Sequence, residues 1–67
     1  MKYTTFNVPS MHSEASANLI ESAVNNVSGV KNINTNYETG VVEVLCENNN
    51  TINSVSSKIK SLGYDIN

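Results

Sequence analysis

The residues whose types could do chemistry gather in one stretch, Pro9-Ser10-Met11-His12-Ser13-Glu14-Ala15-Ser16. His12 is the chain's one histidine, and a neutral imidazole suits Zn(II), Cu(II) or Ni(II). Glu14, two residues on, could add a carboxylate. Two such ligands fall short of the three or four that zinc takes, so His12 is a weak metal candidate and reads more simply as an exposed loop histidine. Ser13 and Ser16 stand three apart, a spacing that sets both hydroxyls at the first turn of a helix. Hydroxyls are hard and stay protonated near neutral pH, so the pair is not expected to hold a soft metal. Ser13 has a simpler role available, because serine is a favoured N-cap. Catalysis has little support, since His12 lacks a nucleophile and an orienting acid at a recognisable spacing. His12 and Glu14 form an H-x-E pair, but the P-C-x-x-C half of a zinc-deaminase signature is absent. No enzyme is expected.

The elements that must position this stretch follow from the apolar pattern. YTTFNV, residues 3–8, is rich in β-formers and predicts a strand that Pro9 and Ser10 end. Ala15, Leu19, Ile20, Ala23, Val24 and Val27 trace one stripe of an amphipathic helix over 14–27, capped by Ser13 and favoured at its start by Glu14. Ser28-Gly29 stops it. Residues 30–36 predict a weak strand anchored by Val30 and Ile33, and 37–40 carry turn chemistry. VVEVLC, 41–46, is the strongest strand, and ENNN after it reads as a loop. Thr51 is expected to cap a second helix with Ile52, Val55, Ile59 and Leu62 on its apolar side, ended by Gly63. Residues 64–67 predict a short last strand. The fold class is therefore α+β: a ferredoxin-like βαββαβ sandwich, with a four-stranded antiparallel sheet and both helices on one face. Residues 1–67 are expected to form a single domain.

Composition narrows the partners. Four lysines against six acids give a net charge of −2. A nucleic-acid binder needs a basic stripe, and Tyr3, Phe6, Tyr37 and Tyr64 are too scattered to make a stacking row, so no nucleic acid is expected. No run approaches the roughly 20 apolar residues of a membrane span, so no membrane insertion is expected. No signal peptide is visible, which favours a cytoplasmic location. Cys46 is the only cysteine, so no disulfide framework exists within the chain. It ends the third strand, at the opposite pole from Ser13 and on the order of 15 to 20 Å away. Sharing a face with Val42 and Val44, it is expected in the core.

Met11-His12-Ser13-Glu14-Ala15-Ser16 is similar to the M-x-C-x-x-C loop of heavy-metal-associated domains, as found in copper chaperones and the N-terminal modules of copper-transporting P-type ATPases. Leu19-Ile20-Glu21-Ser22-Ala23-Val24 resembles that family's "IExAL" helix, Ser28-Gly29-Val30 its helix exit, Val42-Glu43-Val44 its "VTV" strand, and Leu62-Gly63-Tyr64 its "GY" ending. The resemblance covers essentially the whole chain. It implies that one Cu(I) is bound and passed by ligand exchange to a copper-transporting ATPase or similar metal-transfer partner. It also implies that Met11 packs beneath the loop and that Tyr64 shields the site. The departure is that Ser13 and Ser16 stand where the family has its cysteine ligands. No cofactor is expected with serines there, whereas cysteines would imply Cu(I). Both metal-removing mutagenesis and natural divergence produce such an exchange. The expectation is a monomeric, metal-binding-deficient relative of copper chaperones. The alternative is a metal-independent interaction or regulatory module on the same fold.

Overall fold

The computed structural model describes residues 1–67, which run β1 (Lys2–Asn7), α1 (Glu14–Asn25), β2 (Val30–Asn36), β3 (Val41–Cys46) and α2 (Asn49–Ser61). The β-branched run VVEVLC becomes the central strand, pairing antiparallel with β1 on one side and β2 on the other. Its alternation is clean: Val42, Val44 and Cys46 are buried, while Val41, Glu43 and Leu45 are half-buried on the opposite face. Side chains alternate across a strand, so the first set faces the helices and the second faces away. Register carries this across the sheet, with Phe6 opposite Val42 on β1 and Ile33 opposite Val44 on β2. Ala17, Ile20 and Val24 of α1 and Val55 and Ile59 of α2 close the core from the helix side, and Val8 and Met11 join it from the loop after β1.

Three local expectations are corrected. The sheet has three strands, because residues 64–67 make a single backbone bond, from the Asn67 N–H to the Asn7 carbonyl at 2.9 Å. Their burial still alternates, with Tyr64 and Ile66 half-buried against the core, but one bond is no ladder. The second helix begins within the predicted ENNN loop. Asn48 is its N-cap and accepts from the Thr51 N–H at 3.0 Å, while Thr51 is buried in the first turn. A carboxamide oxygen caps better than a threonine hydroxyl, and the earlier start frees Thr51 to pack. Finally, Ala17 takes the buried place on α1, leaving Ala15 exposed and Leu19 50% exposed. Adjacent helical positions lie about 100° apart, so Leu19 cannot share the inward direction of Ile20.

Candidate metal-binding loop

The loop is built outward from the end of β1. The Val8 N–H donates to the Gly40 carbonyl at 2.7 Å, tying the loop's first residue to the turn between β2 and β3. Gly40 has φ +75, and a Cβ there would lie 2.9 Å from the Val8 carbonyl oxygen, so only glycine allows the two segments to approach this closely. The Met11 N–H then donates to the Val8 carbonyl at 3.0 Å, closing a turn with Pro9 in its second position. Met11 is fully buried and joins the core cluster.

Ser13 leaves the turn in an extended conformation, φ −138 and ψ 156, and caps α1. Its Oγ accepts from the Ser16 N–H at 3.2 Å and donates to the Ser16 Oγ at 3.1 Å. The two hydroxyls expected at the ligand positions are therefore brought together, and each uses the other. Ser13 is exposed and Ser16 half-buried at the helix N-terminus, with Glu14 in the first turn. His12 and Glu14 are both exposed, and no three His, Cys, Asp or Glu side chains converge on a point that could hold a metal ion. The donor set is thus two hard hydroxyls already bonded to one another, which does not suit Cu(I).

Cys46 offers no replacement thiolate. It pairs in register with Lys2, the first residue of β1, whereas the loop departs from Asn7 at the other end. At about 3.4 Å per residue, those five steps put it roughly 17 Å from the loop's start. Its side chain is fully buried, and burial pushes the thiol pKa up, so it is held protonated and inert. Tyr64 is half-buried against the core, and the bond from Asn67 to Asn7 draws its segment alongside the end of β1 from which the loop departs. Sequence reasoning missed Gly40 as the loop's anchor. Its turn chemistry was visible, but its partner Val8 is remote in the chain.

The heavy-metal-associated domain family matches residues 5–65. No curated protein sequence matches the chain. Among solved structures, the CopZ metallochaperone is 28% identical with a TM-score of 0.87, over 98% of this chain and 100% of its own. The N-terminal domain of ZntA, solved in its Zn(II)-form, is 25% identical with a TM-score of 0.88, over 97% and 88%. Oxidized MerP from Ralstonia metallidurans CH34, at 20% identity and a TM-score of 0.87 over 98% and 93%, shares the fold. With nearly the whole sequence and the whole architecture in agreement, the chain belongs to the heavy-metal-associated domain family.

Proposed function

We propose that residues 1–67 act as one non-enzymatic domain of the metal-transfer type that does not retain Cu(I), because serines occupy the ligand positions. The observation that carries this reading is the bond from the Ser13 hydroxyl to the Ser16 hydroxyl at 3.1 Å, which sets two hard oxygens at the proposed ligand positions. Met11 supports that loop from below and Tyr64 flanks it, while His12 contributes no more than a weak contact to a borderline metal. What survives is the docking part of the role. The Met11–Ser16 loop meets a copper-transporting ATPase or a similar metal-transfer partner, in the cytoplasm and as a monomer. Support comes from relatives such as CopZ, a metallochaperone, and from the intact scaffold that holds the loop in place.

The same closed hydroxyl pair favours a second reading, in which docking is the whole function and metal plays no part. Two measurements test these readings together. Competition for Cu(I) against a chelator under reducing conditions should leave the metal with the chelator. Binding to a metal-transfer domain should be equal with and without Cu(I). Tight stoichiometric retention of Cu(I) by the chain would overturn both readings, and partner binding that requires metal would overturn the second.

A further inference from the structure

On the face of the sheet turned away from the helices, Tyr3, Asn32, Asn34, Glu43 and Leu45 line a depression of about 130 Å³. Small-molecule and cofactor pockets generally run from roughly 300 to 1,000 Å³, so this one suits a single side-chain headgroup and no nucleotide or cofactor. Glu43 sits at its centre on the middle strand, half-buried, with the uncharged Thr5 and Asn34 opposite it in register. The Asn34 Nδ2 donates to its Oε1 at 3.4 Å, and the Tyr3 hydroxyl is a second donor beside the carboxylate. No cation pairs with it: Lys31 on β2 is committed to Glu47 at 2.9 Å, and Lys2 on β1 stands in register with the core-facing Cys46.

An aromatic ring completes the depression. Tyr3 is 65% exposed and lines the depression with Glu43, and partial desolvation first, then its hydrogen bond to that carboxylate and the carboxylate's charge, push its phenol pKa up. A partly desolvated carboxylate without a cation, beside an exposed ring and the Leu45 side chain, complements a planar cation. A guanidinium can bond the carboxylate through its fork and stack its flat face on the phenol ring. The Asn34 carbonyl oxygen remains free to accept a further N–H. An ammonium would use the charge and waste the flat surface.

We propose that this face is a second docking surface, in which Glu43, Asn34 and Tyr3 receive an arginine side chain displayed by a partner protein. Charge complementarity fixes the occupant's chemistry, and the chain's own composition argues against a second copy. Its four cationic residues, Lys2, Lys31, Lys58 and Lys60, are all lysines, so it has no arginine to offer itself. The face looks away from the helices, so a partner here does not compete with docking at the Met11–Ser16 loop. The proposal therefore stands whether or not that loop ever carries metal.

Titration of the isotopically labelled chain with N-acetyl-arginine amide, followed by backbone NMR shifts, tests it. Saturable shifts are expected at Tyr3, Asn34, Glu43 and Leu45, and none with the uncharged isostere N-acetyl-citrulline amide. Glu43→Gln, on an exposed sheet face and checked for an unchanged spectrum elsewhere, should weaken binding at least about threefold, the scale of a partly exposed charged pair. Tyr3→Phe keeps the ring and should preserve binding, whereas Tyr3→Ser should weaken it. Equal binding of citrulline, or unchanged affinity in Glu43→Gln, would overturn the proposal. So would shifts on this face that track protein concentration without any probe, which would assign it to a second copy.

Discussion

Ser13, proposed above to stand at a ligand position, serves as the helix cap of α1. Its oxygen accepts the Ser16 N–H, a donor that α1 otherwise leaves without an intrahelical partner. Ser13→Ala should therefore cost about 0.5 to 2 kcal/mol in urea denaturation. Ser16→Ala should cost less, because it removes only an exposed hydroxyl partner and leaves the cap in place. A cysteine is a weaker acceptor, so a thiol at position 13 should cap poorly until a metal holds it. Cys46 makes a separate prediction through pH. Its folded pKa is raised by burial, so as pH rises the unfolded thiol ionises first. Its contribution to stability is full below the ordinary thiol range and declines as pH rises above it. Replacing it in Cys46→Ala should flatten that alkaline fall in denaturation midpoint, and an unchanged slope would assign the fall to other groups. Both residues were legible in the sequence, because a cap and a core thiol are each set by local pattern. Thr51 misled although the better cap was nearby: Asn48, three residues earlier, outranks threonine as an N-cap but reads as part of the ENNN loop.

At the scale of elements, the loop's shape belongs less to the loop than to the turn beneath it. The order of strands and helices followed from periodicity, and so did the central place of VVEVLC. The contact between Val8 and Gly40 did not, since it joins segments far apart in the chain. Gly40→Ala should destabilise the fold by roughly 1 to 2 kcal/mol from the left-handed conformation alone. The Val8 carbonyl at 2.9 Å from the new Cβ adds to that, and the NMR shifts of residues 8–13 should move with the loss. Gly29 has the same dependence on a remote partner. At φ +94 its Cβ would collide with the Thr51 Oγ1, so Gly29→Ala should be destabilising and partly relieved by adding Thr51→Ala. A double-mutant cycle measures that relief directly, and strictly additive losses would show that the two do not crowd one another. The missing fourth strand teaches a similar point. Residues 64–67 alternate as a strand should, yet strand identity also requires paired backbone, and only Asn67 reaches β1.

Taken as a whole, the molecule keeps the family's architecture and carries serines at residues 13 and 16 of its loop. Packing depends on buried apolar side chains, and those are present on both helices, the sheet and the loop. In the proposed reading, metal retention turns on the two side-chain atoms at residues 13 and 16, both of them oxygen. No helix is long and apolar enough to cross a membrane. The scaffold claim and the donor claim separate in one measurement: Cu(I) affinity of the chain and of the Ser13→Cys/Ser16→Cys variant, by chelator competition under the same reducing conditions. The account predicts that the chain leaves Cu(I) with the chelator and that the double variant takes up one ion with the tight binding of a two-thiolate loop. Tight binding by the serine chain, or none by the cysteine variant in a folded state, would contradict it.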